Sequence, residues 1–155
     1  MIALFRRFQA LPAARRALLV EATAALAVAA IAVAALPFQR VTARIRHPDG
    51  PIPSRADRLA HIAEVRWAVA ACARRAPWRA KCLEQGLAAI LLLRRRGVPA
   101  ALHYGLARDG SGLAAHAWVR ADGTDVIGCE NAGDFTEIAR FPSVPSTPEP
   151  IAARL

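Results

Sequence analysis

The residues of this chain best suited to covalent chemistry are its cysteines and histidines. The cysteines stand at positions 72, 82 and 129, and the histidines at positions 47, 61, 103 and 116. A cysteine attacks a carbonyl carbon once a neighbouring base has taken its proton, so one cysteine and one histidine that meet in the fold suffice for acyl transfer. No two cysteines have the C-x-x-C spacing of a zinc or redox site. We therefore expect thiol chemistry with neither a metal nor a cofactor.

Cys82 has the local sequence of a nucleophile. It lies in the first turn of a helix predicted for residues 78–96, with Gly97 in the position of a left-handed cap. Unbonded N–H groups and the positive end of the helix dipole favour a thiolate in a first turn. Cys72, at the end of another apolar helix, is predicted to be a small core residue. The sequence leaves the exposure of Cys129 open.

His116 is the candidate base. It lies early in a strand predicted for residues 113–120, which a turn at Asp122-Gly123 joins to a returning strand over 124–128. A helix that starts at the cysteine, a strand and then this hairpin form the chain order that brings a helix start and a sheet face together. His103 lies on the preceding strand, predicted over 101–106, either as a cleft residue or as an ordinary strand side chain.

The order of these elements, helices and then a small antiparallel sheet, predicts an α+β domain. We divide the chain into an apolar N-terminal helix within residues 1–40, a linker at 41–53, a catalytic domain at 54–142 and an irregular, Pro-rich tail at 143–155. Within the domain, Ser54 with Asp57 three positions later predicts the start of a helix that ends near Cys72.

The N-terminal apolar run, from Ala17 to Leu36, has the length of a membrane span. It is rich in alanine, however, and contains Glu21, which is costly deep in lipid. We favour a helix packed on the domain or on a partner protein, with membrane association as the alternative. Unpaired thiols are typical of a reducing compartment, so the predicted location is the cytoplasm.

The formal net charge of +9, carried almost wholly by arginine, raises the question of a nucleic-acid partner. Nucleic-acid binding requires a basic stripe interleaved with aromatic residues, or a recognisable module, and the sequence has neither. The arginines form short clusters, such as residues 94–96, near predicted helix ends, where they complement the helix dipole. We therefore expect no nucleic-acid partner.

Three runs of the sequence, residues 77–83, 91–100 and 116–119, carry a resemblance to a known family. In order, spacing and flanking residues they resemble the leader peptidase of lasso-peptide biosynthesis, the protease half of the "B" maturation protein, in the papain-related transglutaminase-like superfamily. The resemblance covers about residues 55–142. It implies a Cys-His-Asp peptidase that removes the leader from a ribosomally made precursor peptide, with Cys82 as nucleophile and His116 as base.

The resemblance does not identify the third catalytic residue in this chain, because Gly128 occupies one position where some relatives have aspartate. Asn131 is the preferred substitute, since an asparagine can orient a histidine in papain-type sites, and Asp134 and Glu130 are the other nearby choices. The backbone N–H of Cys82 is expected to supply one donor of the oxyanion hole, with the second donor unidentified.

The register of the predicted hairpin indicates where the third catalytic residue should lie. With Asp122-Gly123 as a two-residue turn, the predicted pairs are Arg120 with Asp125, Trp118 with Ile127, and His116 with Cys129. An orienting group should then lie near the far end of the returning strand, beside His116.

The resemblance also implies partners. The precursor peptide is the expected substrate, and a macrocyclase is an expected neighbour in the same maturation. Some relatives carry an additional N-terminal domain that grips the leader, whereas here an apolar helix precedes the peptidase. We therefore expect a separate leader-binding protein, with the apolar helix as its docking surface.

Three alternatives stay open from the sequence. One is a transglutaminase-like acyltransferase or amidase that uses the same residues on another substrate. The second is a non-catalytic scaffold that binds peptide without cutting it, and the third is a small membrane-anchored protein defined by its first helix.

Overall fold

The structure, a computed structural model, describes residue 6 and residues 8–78, 80–110 and 112–142, except for the side chain at position 109. The predicted Pro-rich tail at 143–155 and the first five residues of the predicted N-terminal segment lie outside the described residues.

In the described part of the chain, a series of helices precedes a four-stranded antiparallel sheet. The elements are α1 (Ala13–Ala35), α2 (Phe38–Thr42), α3 (Arg55–Ala73), α4 (Cys82–Arg95), β1 (Ala101–Asp109), β2 (Gly112–Ala121), β3 (Thr124–Ile127), a 3₁₀ turn (Ala132–Asp134) and β4 (Thr136–Phe141). The strand order in the sheet is β3-β2-β1-β4. The predicted α+β class is confirmed.

Helix α1 is part of the same hydrophobic core as α3 and α4. Its buried side presents Leu18, Ala22, Ala25, Leu26 and Ala29, at the spacing of one helix face. Glu21 is neutralised by Arg96, whose Nη2 lies 2.8 Å from its Oε2. By length and composition α1 could also cross a membrane, with a mean hydropathy of 2.2, but the core helix of a soluble protein meets the same criterion.

Helix α3 begins as predicted at Ser54. The Ser54 hydroxyl accepts a hydrogen bond from the backbone N–H of Asp57 at 3.2 Å and donates one to the Asp57 carboxylate at 2.6 Å. These bonds satisfy a backbone donor that the first turn of a helix would otherwise leave unpaired.

The prediction that the next helix starts at Trp78 is wrong by one turn. Helix α4 starts at Cys82, after Lys81 in an extended conformation. Before the helix, Trp78 and Ala80 are partly buried and pack against the core without being helical. Cys82 is therefore the first residue of the helix rather than a residue at the end of its first turn.

The β2–β3 hairpin has the predicted turn but a different register. Asp122 and Gly123 both have positive φ, of 51° and 74°, as a two-residue hairpin turn of this type requires. Arg120 pairs with Asp125 as predicted, but Ile127 pairs with Val119 instead of Trp118. One extra residue in β3 forms a bulge, so the predicted pairs of Trp118 with Ile127 and His116 with Cys129 are wrong.

Strand β4 was not predicted from the sequence. It pairs with β1, about 35 residues earlier in the chain, through contacts such as His103 with Arg140. Its side chains are mostly exposed, so it lacks the alternation of apolar and polar residues that identifies a half-buried strand.

We predict that Leu26→Ala lowers the free energy of unfolding by about 2–5 kcal/mol, because Leu26 is fully buried between α1 and the rest of the core. The matched control is Val28→Ala on the same helix, where the side chain is 57% exposed and little stability should be lost. Urea denaturation followed by circular dichroism measures both. Equal effects of the two substitutions would show that α1 does not fold with the domain.

Candidate active site

Cys82 and His116, which come from α4 and β2, line one cavity of about 270 Å³. Its other polar side chains come from α3, α4 and the segment after β3, namely Arg66, Gln85, Glu130 and Asn131. The structure therefore brings together the predicted nucleophile and the predicted base, which are 34 positions apart in the sequence.

The position of Cys82 suits a nucleophile. As the first residue of α4 it has no helical carbonyl to receive its N–H, so that donor and the positive end of the helix dipole lie beside its thiol. The side chain is half-buried, and it lines a cavity open enough to admit a substrate atom. This combination of a helix start and partial exposure is typical of reactive cysteines.

Cys72 belongs to the packing between α1 and α3. Its Sγ lies 3.5 Å from the carbonyl oxygen of Leu19, to which it donates, and it accepts a weak hydrogen bond from the Thr23 hydroxyl at 3.4 Å. The predicted structural role for this residue agrees with these contacts, since both of its partners lie on a neighbouring helix.

The surroundings of Cys129 make its thiol less reactive. Burial raises the pKa of the Cys129 thiol, and the negative charge of Asp125 raises it further. Its Sγ donates to the carbonyl oxygen of Val119 at 3.3 Å. Since the thiolate is the attacking species, a raised pKa makes this thiol a poor nucleophile at neutral pH.

One nitrogen of the His116 ring has a defined partner. Nε2 lies 2.7 Å from the carbonyl oxygen of Gly128. A carbonyl oxygen can only accept, so Nε2 must carry the hydrogen, and in the neutral ring the lone pair is then on Nδ1. The bulge in β3 and the positive φ of Gly128, 71°, direct the backbone toward the ring.

No side chain larger than that of glycine fits at Gly128 in this conformation. A Cβ atom there would lie 2.8 Å from the carbonyl oxygen of Ala117 and 3.5 Å from His116 Nε2. Any such side chain would press on the strand that carries the base, in addition to adopting a left-handed backbone conformation that glycine tolerates best.

The other contacts of the His116 ring are aromatic. Its centroid lies 4.9 Å from that of Phe135 and 6.0 Å from that of Trp118, with the Trp118 plane inclined by only 20°. Trp118 in turn stacks on His103, at 5.5 Å and 9°. The His103 ring is nearly buried, and its Nδ1 lies 3.0 Å from the carboxylate of Glu137. His103 therefore supports the wall behind the base.

The three proposed third residues lie near His116 but do not bond to it. Asn131 and Glu130 line the same cavity, whereas Asp134 is in the 3₁₀ turn and does not line it. In the described part of the chain, the hydrogen bonds of His116 include none to these side chains. Their catalytic roles stay predictions.

The thiol and the imidazole are not hydrogen-bonded to each other in the described structure. Catalytic hydrogen bonds are often long or poorly aligned before substrate binds, and they tighten in the complex. Cys82 and His116 share a cavity wall, which is the arrangement from which such a contact can form.

Gln85 is a site residue that the sequence analysis missed. It lies three positions after Cys82 in α4, so both side chains face the same side of the helix and the same cavity. Its Nε2 donates to the carbonyl oxygen of Ala80 at 2.7 Å, which uses one of its two hydrogens. The i, i+3 spacing from the cysteine was the available signal.

Among the described residues, no cluster of three or more His, Cys, Asp or Glu side chains is arranged to hold a metal ion.

The chain matches the model of a known protein family. The family described as the transglutaminase-like superfamily matches residues 10–140, which is most of the chain and includes α1 as well as the sheet. No curated protein and no solved structure matches the chain.

We expect iodoacetamide at neutral pH to alkylate Cys82 before the other two cysteines of the native protein. Cys129 should react appreciably only when the pH is raised above the ordinary range of a thiol, since its pKa is raised. Peptide mapping by mass spectrometry gives the rate for each cysteine. Cys129 alkylation as fast as that of Cys82 at neutral pH would contradict this assignment.

Proposed function

The chain belongs to the transglutaminase-like superfamily, and from that premise we propose that it is a cysteine peptidase that removes the leader from a ribosomally made lasso-peptide precursor. The observation that supports the proposal most directly is that Cys82 and His116 line the same cavity. Cys82 lies at a helix start, and Nε2 of His116 is hydrogen-bonded to the Gly128 carbonyl. The resemblance of residues 77–83, 91–100 and 116–119 to the leader peptidases supports the substrate class.

In the first half of the proposed reaction, Nδ1 of His116 takes the thiol proton of Cys82. The thiolate sulfur bonds to the carbonyl carbon of the scissile peptide bond, and the carbonyl oxygen becomes negatively charged. When the C–N bond breaks, the imidazolium returns its proton to the leaving nitrogen, giving a thioester and a free amine.

In the second half, water attacks the thioester carbon. His116 Nδ1 takes a proton from the water, the C–S bond breaks, and the sulfur leaves as a thiolate that regains a proton from the imidazolium. The products are a carboxylic acid and the free enzyme, so the net reaction is hydrolysis of one peptide bond.

The developing oxyanion requires hydrogen-bond donors. The backbone N–H of Cys82 is one, because it has no partner within the helix. We assign the second to the Gln85 amide, which lines the same cavity and keeps one hydrogen free beyond its bond to Ala80.

The proposal includes two partners. A separate leader-binding protein delivers the precursor to the peptidase, and a macrocyclase acts on the released core. The exposed side of α1, which includes Val20, Val28 and Ile31, is the proposed docking surface for the leader-binding protein in the cytoplasm, with association of α1 with a membrane as the alternative. Full-rate cleavage by the purified chain alone would argue against a delivery partner.

We predict that Cys82→Ala lowers leader release by about a thousandfold or more and that His116→Ala lowers it by about a hundredfold to ten-thousandfold. The measurement is mass spectrometry of precursor peptide mixed with the chain and a leader-binding partner. Cys72→Ala is the matched control, since the Cys72 thiol is hydrogen-bonded to α1 and does not line the catalytic cavity. An unchanged biological activity of Cys82→Ala would favour a non-catalytic peptide-binding scaffold, and a transferred acyl group among the products would favour an acyltransferase.

We predict that Asn131→Ala keeps kcat/KM within about threefold of wild type. The reason is that the Gly128 carbonyl, a main-chain group, still holds the His116 ring after the substitution. Asp134→Ala and Glu130→Ala, at the two other candidate positions, are measured in parallel. A loss of more than about a hundredfold confined to one of the three variants would make that residue the orienting group.

A further inference from the structure

A groove leads away from the catalytic cavity between α3 and the edge strand β3. A second cavity, of about 350 Å³, lies along the same two elements and shares Arg66 and Ala70 with the catalytic cavity. Thr124 and Asp125 of β3 line this second cavity, while Val126 and Ile127 line the catalytic one. The two cavities therefore form one groove along the length of β3, and we call it the α3–β3 groove.

The α3–β3 groove has the dimensions of an extended peptide. Its α3 side runs from Leu59 to Arg74, which at the rise of an α-helix is about 22 Å. An extended chain covers that distance in about six or seven residues. Since β3 is the terminal strand of the sheet, its outer backbone edge has no strand beside it among the described elements. Such an edge can pair with an added peptide strand.

The groove is lined by apolar side chains and by positively charged ones. Leu59 and Trp67 are unusually exposed for their size, at 39% and 37%, and both line it. Arg66 and Arg74 also line it, and the ion pairs of the described residues include neither of them. The carboxylate of Asp125 is already bonded to Arg120 at 2.8 Å and does not neutralise these arginines.

The walls of the groove are held in place without a ligand. Arg58 of α3 pairs with Asp122, in the β2–β3 turn, at 3.0 Å, and it also donates to the carbonyl oxygen of Pro53. Arg15 of α1 lies over the Trp67 ring at 5.2 Å. A preformed groove binds its ligand with less loss of conformational freedom.

From these observations, which rest on the proposed peptidase function, we propose that the α3–β3 groove binds the substrate segment next to the scissile bond. That segment lies extended along β3, places a large apolar side chain against Leu59 and Trp67, and places an acidic side chain against Arg66 and Arg74. The groove thereby selects the precursor within a few residues of the cleavage position, independently of any leader-binding partner.

The test uses pairs of peptide pools in which each peptide is about ten residues long. The two pools of a pair are identical except that one carries glutamate and the other glutamine at a single position. That position is moved along the peptide from one pair of pools to the next. The wild-type chain alone is mixed with each pool, and cleavage is followed by mass spectrometry. We expect a preference of roughly threefold to tenfold for glutamate at one position, which is the range for a partly solvated ion pair to arginine. Arg66→Gln with Arg74→Gln should remove the preference, so that the glutamate and glutamine peptides are cleaved at equal rates.

Arg94→Gln is the matched control, because Arg94 is an exposed arginine at the far end of α4 and lines neither cavity. A general loss of folding would slow the glutamate and glutamine pools equally, so the ratio between them isolates the groove. Cleavage without a glutamate preference, or with one that survives both groove substitutions, would overturn the inference and leave the peptidase intact.

If the wild-type chain cleaves no pool, peptide binding is measured instead. The same peptides are labelled with a fluorophore, and their binding to the Cys82→Ala variant is followed by fluorescence anisotropy. A glutamate preference in binding that Arg66→Gln removes would support the groove and count against the peptidase. Equal binding of both pools would overturn the groove.

Discussion

The close approach of α4 to the sheet is the constraint on which the site depends. At Gly86 an added Cβ would lie 2.8 Å from a methyl carbon of Leu102 and 3.3 Å from one of Val119, both of them fully buried. A glycine in the middle of a helix costs about 1 kcal/mol of helix stability relative to alanine, and here it lets the helix lie directly on β1 and β2. Cys82 begins this helix, and His116 lies on β2 three residues before Val119. The distance between helix and sheet therefore also determines how near the nucleophile lies to the base.

A second determinant is the bulge in β3. By adding one residue to the strand, it places Gly128 next to His116 and lets a main-chain carbonyl bond to the ring. The sequence predicted the hairpin turn, the pairing of Arg120 with Asp125 and the fold class, because these follow from local turn chemistry and from periodicity. It did not predict the bulge, since Val126 and Ile127 are both apolar and satisfy either register. In the structure the His116 ring has a backbone partner, the Gly128 carbonyl, while the orienting roles predicted for Asn131, Asp134 and Glu130 stay predictions.

The pair Cys82 and His116 could be proposed from the sequence because each stands at a recognisable local feature, a helix start and the first strand of a hairpin. Gln85 could have been proposed from its i, i+3 spacing to Cys82, whereas the α3–β3 groove has no such local signal. The groove results from two elements more than fifty residues apart that are joined by the ion pair of Arg58 with Asp122. Strand β4 was missed for a similar reason, because its pairing with β1 is non-local and its side chains are largely exposed.

The hydrogen bond from His116 to the Gly128 carbonyl also affects the charge of the site. A Cys-His-Asp triad has a net charge of −1 whether its proton is on sulfur or on imidazole, whereas a Cys-His pair oriented by a neutral carbonyl has a net charge of zero in both states. The charged side chains that line the catalytic cavity among the described residues are those of Glu130 and Arg66. The formal charges of these two lining groups cancel, and Arg74, at the other end of the α3–β3 groove, is in none of the ion pairs of the described residues. An anionic peptide segment can therefore approach the thiol without the additional repulsion that a triad aspartate would exert.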